Sequence, residues 1–411
     1  MIKRFVKENP IILFFSSFQL MHQLSIGVVI PFWSLMLLEA GWSTEQITYF
    51  FAISAFVVFL FGGVIGKLAD SFGKKKVILF GLIIQASFFA LYYFIIENIW
   101  LMLVFRFFEI ISFLCISMVS LGALEDFVEN DNRGFWTGIF LGIGTIGAMV
   151  GPIIAGYLAQ FGVYKILLLW SCIITIFCAI LLKKVPLKKN KFKHKFSVSD
   201  VNPFTQIFHF LRNKKLKGMA LLGVLMNSKA QIYAIFFPIF VVQHIGLPVY
   251  YLGYLYAIPS FFHIFQAAFG KFFDKTSSEF GVLFGVFLSS VAIFMFPYVT
   301  SVYWLCLMLV FYGIGSAIWN VNAWAVMGNI AKKKEMEAEI TGTYMSIAKL
   351  GVFITTLFSA MIVSKLGIAE TMQWMAIVIL IGVAICYFFF QPVFHPSGRM
   401  SSFDRFFKIK F

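Results

Sequence analysis

Twelve long apolar runs, each bounded by a short polar break, occupy the chain almost from end to end and leave it little freedom of fold. A helix rises about 1.5 Å per residue, so roughly 20 apolar residues cross a hydrocarbon layer about 30 Å thick. Runs of that length fall at approximately 11–38, 46–66, 77–96, 99–124, 135–160, 164–182, 218–244, 249–270, 280–299, 302–330, 340–364 and 370–391. The expected fold is an all-α integral membrane protein with twelve transmembrane helices. Composition agrees: 61% of residues are apolar, 12% are charged, and phenylalanine alone occurs 54 times. The first run follows MIKRFVKENP, which resembles the start of a signal peptide, but it extends far past the apolar segment of about 7–15 residues such peptides use. It is read as an uncleaved first helix.

A net charge of +15 raises the question of a nucleic-acid partner, and the positions of the basic residues decide against one. Nearly all lie in the N-terminal tail, the C-terminal tail and alternate loops, with Lys165 and Lys365 the exceptions in or beside the opposite loops. Short Lys/Arg-rich loops stay in the cytoplasm, so both termini and the 183–217 connector are expected inside a cell membrane crossed many times. That rule accounts for the charge asymmetry without nucleic acid. Cys115, Cys172, Cys178, Cys306 and Cys386 fall within apolar runs without paired spacing, which supports neither a disulfide framework nor a metal site. No cofactor is expected.

The largest polar interruption, residues 183–217, has six runs on either side. It divides the chain into a six-helix half (1–182), a cytoplasmic linker (183–217), a second half (218–391) and a cytoplasmic tail (392–411). Within the linker, FTQIFHFL reads as a short interfacial helix. The halves echo each other. GKLADSFGKKK, from Gly66, returns as GKFFDKTSSE, from Gly270, with Asp274 matching Asp70. LMLVFR (Leu101–Arg106) returns as LMLVFY (Leu307–Tyr312), and Gly138 and Gly147 return as Gly342 and Gly351. Six crossings separate each pair, an even number, so the halves are parallel repeats about an axis along the membrane normal.

The loop after the second run reads Gly66-x-Leu68-Ala69-Asp70-x-x-Gly73-Lys74-Lys75 and resembles the signature loop of the major facilitator superfamily. The twelve runs, the central loop and the weaker copy after run eight extend the resemblance over nearly the whole chain. It implies a secondary transporter working by alternating access. It also implies a cytoplasmic gate in which Asp70, Lys74, Asp126 and Arg133 hold one conformation, with Gly66 and Gly73 permitting close packing; the alternative for the lysines is orientation alone. The second copy, at Gly270 and Asp274, lacks the Gly-Lys-Lys ending. In run five, Gly138, Gly147, Gly151, Pro152 and Gly156 resemble the glycine-proline motif of the superfamily's antiporters, with Ala155 departing from it. Small residues four apart let helices approach, and a proline removes a backbone donor and bends its helix. The motif points to drug or metabolite export.

Charges deep in a membrane are costly unless they face partners or water. Arg106, Glu109, Lys229 and Lys349 are such charges, and Arg106 and Glu109 share a helix face. The resemblance implies a central cavity lined by spans one, four, seven and ten. Those spans carry Gln19, His22 and Gln23; Arg106 and Glu109; Asn227, Lys229 and Gln231; and Trp319, Asn320, Asn322 and Trp324. Span four resembles the family's proton-transfer segment, except that Glu109 and Ile110 stand where glutamine and glycine are usual. Glu109, Arg106 and His22 are the candidates for proton coupling, against a static ion pair of Glu109 with Arg106 or Lys229. The leading expectation is a monomeric, proton-coupled exporter of small amphipathic molecules, in contact with membrane lipids. The alternative is an importer or proton symporter of a polar or anionic solute. A transporter-like receptor or a membrane enzyme is the reading from another class. The sequence offers no nucleotide loop, metal cluster or nucleophile-base pair for the enzyme, and no added soluble domain for the receptor.

Overall fold

A computed structural model describes residues 10–125, 133–161, 164–184, 207, 210–212, 214–274, 277–299, 301–332 and 337–394, with some side chains inside the helices, such as those of Gly66, Asp70, Arg133, Gly138 and Asp274, not described. All assigned elements among these residues are helical. Span one runs Pro10–Val29, turns through a 3-10 segment Ile30–Phe32 at Pro31, and continues as Trp33–Glu39. Spans two to six are Thr44–Phe72, Lys74–Ile95, Ile99–Glu125, Arg133–Ala159 and Ile166–Lys184. Span seven is Lys214–Ile239, extended by a π turn Phe240–His244 just after Pro238. Spans nine to twelve are Ser278–Met295, Val302–Lys332, Glu337–Leu366 and Ile368–Phe394.

Span eight differs from expectation. It is helical over Tyr250–Phe262, 3-10 over His263–Phe265, and helical again over Gln266–Asp274. Among the described residues, eleven helices are therefore long and apolar enough to cross a membrane, and the eighth crossing is the broken one. Pro259 lacks the donor that would bond one turn back, and the polar residues His263 and Gln266 fill the break. Two other boundaries shift. Span two continues through Gly66–Phe72, so most of the signature loop is helix, and span seven begins inside the expected linker. Most of that linker lies outside the described residues; of FTQIFHFL, Phe210 is buried in the larger hydrophobic cluster, which draws on both halves.

The repeats recur in packing as well as in sequence. Gly81 of span three lies against span four, where an added Cβ would stand 2.8 Å from the Ser112 carbonyl. Its counterpart Gly285 in span nine meets span ten in the same way, 2.6 Å from the Gly315 carbonyl. Gly147 of span five is pressed on the Leu20 carbonyl of span one, and Gly351 of span eleven on Val224 of span seven. The repeated glycines thus fix the same helix pairs in each half.

With the termini taken as marking one end of the bundle, the core is uneven. A buried cluster joins both halves, but from the first half it draws only residues at the far end, such as Phe32, Trp33, Leu37, Phe50, Tyr92 and Leu167. Phe236, Phe237, Phe240 and Val241 meet them from span seven. At the terminal end a second cluster, including Phe15, Ile78, Leu114, Phe140, Cys178 and Leu182, is built from the first half alone. The glycine-proline motif serves both arrangements. Gly147 and Gly151 pack on span one, whereas Gly156 abuts Gly253 of span eight across the seam between halves.

Candidate functional site

Between the halves lies a cavity of about 270 Å³. Its polar wall consists of Ser54, Gln85, Arg106, Glu109, Gln231 and Lys349, and its apolar wall includes Val29, Trp33, Phe51, Phe89 and Phe113. Span four supplies its central charges because Arg106 and Glu109, three residues apart, emerge on one helix face. The Arg106 guanidinium is held on several sides. Its Nη1 donates to Glu109 Oε2, its Nε donates to Ser54 Oγ at 2.9 Å, and its central carbon stands 4.5 Å from the centre of the Phe50 ring and 5.5 Å from that of Trp33. Both members of the pair are almost fully buried, with 8% and 5% of their side chains exposed, so each charge depends on the other and on this clamp. Across the cavity Lys349 donates to Asn227 Oδ1 at 3.2 Å.

The structure brings some of the candidate residues to this site and distributes the others. Arg106, Glu109 and Gln231 line it. His22 stands one layer behind: its Nε2–H donates to Gln85 Oε1 at 3.3 Å, while Nδ1 is buried without a hydrogen-bond partner among the described residues. Gln19 is buried and Gln23 half-buried, both against Gly144 of span five. Lys229 turns away from the cavity into the second half, donating to Ser289 and resting 4.6 Å from the Tyr312 ring. A Glu109–Lys229 pair is thus replaced by Glu109–Arg106.

The span-ten candidates also face elsewhere, because glycines in span nine draw that helix close. Asn322 packs on Gly281 and donates to the Ile318 carbonyl, and Trp319 backs onto Gly285. Asn320 donates to Gln266 in the break of span eight, where Gln266 in turn donates to His263 Nδ1. Trp324 is exposed, edge-on to Tyr344.

At the terminal end, Gly73 closes span two with φ +96°, a left-handed conformation suited to glycine. Lys74 Nζ donates to the Gly122 carbonyl of span four at 2.8 Å. Gly270 packs on Val321. Asp126 and the side chains of Asp70, Arg133 and Asp274 lie outside the described residues. Two polar cavity residues escaped the sequence reading, and a third was not placed at the cavity. Gln85 and Ser54 carry a signal, as polar side chains inside apolar runs, but they sit on spans three and two. Lys349 was visible as a deep charge; its span eleven was not expected at the cavity.

The profile of the Major Facilitator Superfamily matches residues 15–348. The chain belongs to this superfamily. As a superfamily member it is a multi-pass membrane transporter. An uncharacterised MFS-type transporter of Methanocaldococcus jannaschii is 22% identical over 387 residues, covering 93% of this chain and 98% of that one. The chloramphenicol resistance protein CraA of Acinetobacter baumannii is 28% identical over 217 residues, 51% of this chain and 49% of its own. Among solved structures, the nucleoside transporter NupG superposes with a TM-score of 0.78 at 13% identity, over 93% of this chain and 99% of that one. A POT family transporter in complex with a thioalcohol-conjugated peptide reaches 0.76, also at 13% identity, over 94% and 96%. At these identities the structural likeness establishes the superfamily fold.

Proposed function

We propose that this transporter exports small amphipathic molecules in exchange for protons, with Glu109 as the proton-carrying group. The observation that carries the reading is the Arg106–Glu109 pair, a titratable carboxylate clamped to a fixed cation on the cavity wall. Substrate and proton can compete there: a proton on Glu109 releases Arg106, and deprotonation restores the pair. The mixed wall, aromatic on one side and amide- and charge-bearing on the other, suits a ligand with both characters. Partial similarity to a chloramphenicol resistance protein favours export. With the termini in the cytoplasm, the half-spanning core at the far end corresponds to a protein closed to the outside.

The test is a pH jump across liposomes containing wild type or Glu109→Gln, with chloramphenicol as the first probe. Wild type should accumulate substrate against its gradient. Glu109→Gln should lose accumulation yet retain exchange without a pH gradient. Unchanged accumulation in the variant would exclude Glu109 as the carrier and turn attention to His22, behind Gln85.

A second reading, symport of an anionic solute, draws on Lys349: with Arg106 and Glu109 it makes the wall net positive. Inward accumulation of a carboxylate solute driven by acid outside would favour it.

A further inference from the structure

A second groove runs down the outside of the first half, between spans three and six. Span three contributes Leu79, Ile83, Ala86 and Ala90, and span six contributes Ile176 and Ala179, with Lys183 closing the terminal end; its volume is about 480 Å³. The floor includes the buried Leu82 and Ala86, while Ile83, Ile176 and Ile180 stand exposed as walls. Ser87 makes no polar demand on an occupant, because its hydroxyl donates to the Ile83 carbonyl at 2.9 Å.

The groove has the length of one acyl chain in one leaflet. From Leu79 to Ala90 a helix rises about 16 Å, close to half of a hydrocarbon core about 30 Å thick. Cations gather where a headgroup would lie. Lys183 is exposed at the rim, Lys75 Nζ is anchored beside it on the Lys183 carbonyl at 2.8 Å, and Lys76 is exposed one residue on. Among the described residues, the corresponding helix ends of the second half carry no such cluster: span nine opens with Glu279 in its first turn, and span twelve has no basic residue in its last turn. The lysines therefore belong to this groove and have no counterpart among the described residues at the matching helix ends.

We infer that the groove between spans three and six is a binding site for an anionic phospholipid of the leaflet on the side of the termini. One acyl chain lies along Leu79–Ala90, and the phosphodiester sits against Lys75, Lys76 and Lys183.

The probe is phosphatidylglycerol with a photoactivatable acyl chain, crosslinked to the full-length protein in nanodiscs and mapped by peptide mass spectrometry. Crosslinks should concentrate on spans three and six, and unlabelled phosphatidylglycerol should compete at least fivefold better than phosphatidylcholine. Lys76→Gln/Lys183→Gln should erase that preference while leaving the crosslink position unchanged. Ala90→Phe/Ala179→Phe should remove the crosslink itself, with a monodisperse elution profile as the control for folding. Glycerol 3-phosphate should fail to compete, since the acyl chain supplies the fit; effective competition by it would reduce the site to an anion patch and overturn the proposal. Equal competition by phosphatidylcholine, or crosslinks spread evenly around the perimeter, would overturn it as well.

Discussion

Arg106 gathers more contacts than any other ionised side chain at the cavity, and its removal should be correspondingly costly. Breaking a buried pair strands the remaining charge, at about 3–5 kcal/mol. Arg106→Ala should therefore unfold at markedly lower temperature in detergent, whereas Arg106→Met/Glu109→Met, which removes both charges, should recover most of the loss. Arg106→Lys keeps the charge but cannot hold Ser54 and Glu109 together while resting over Phe50, so transport should fall at least tenfold. A contrasting pair lies at the far surface, where Lys165 Nζ meets Glu97 Oε1 at 2.7 Å. Lys165 holds the exposed Glu97 carboxyl below the usual carboxylate range. A depressed carboxylate contributes stability above its unfolded pKa, and that contribution is lost as pH falls through the folded value. In acid titrations of thermal stability, Glu97→Gln should therefore lose only a small increment at neutral pH, and 0.5 M salt should erase it in wild type.

The helices show where a sequence can be read and where it cannot. Eleven crossings were legible because unbroken apolar length is a local property. The break in span eight was not: 249–270 reads as one apolar run, and its interruption arises from Pro259 together with the tertiary bonds of His263 to Ser316 and of Gln266 to Asn320. The site was legible in part. Arg106 and Glu109 announce themselves as charges in a greasy run, but the rotation that turns Lys229 away from the cavity and brings Lys349 to it depends on neighbours distant in sequence. The span-five glycines were legible as a packing motif, and their division of labour was not. That division predicts different outcomes for one substitution. Gly147→Val places methyls against the Leu20 backbone within one half and should reduce folded yield. Gly156→Val wedges the contact with Gly253 between halves and should leave folding intact while opening the far end. A cysteine at Ser54 in a cysteine-free background would report it, reacting faster with an impermeant maleimide from the far side in the Gly156 variant. Equal reactivity in both backgrounds would refute the seam.

At the scale of the whole molecule, orientation is the first quantity to measure. Single cysteines in 183–217 and in the C-terminal tail should react in intact cells only with membrane-permeant reagents; labelling from outside would invert the assignment of cytoplasmic and external faces. The seam itself has a thermal consequence. The halves meet at the far end through the buried rings of Trp33, Phe50, Phe236 and Phe240, and if transport runs by alternating access this interface opens to water on every cycle. Hydrating apolar area raises heat capacity by about 0.45 cal/K/mol per Å². If that opening limits turnover, the activation step itself carries a heat-capacity increment. The Arrhenius plot of transport should then bend instead of running straight, and replacing Phe236 with alanine should flatten the bend.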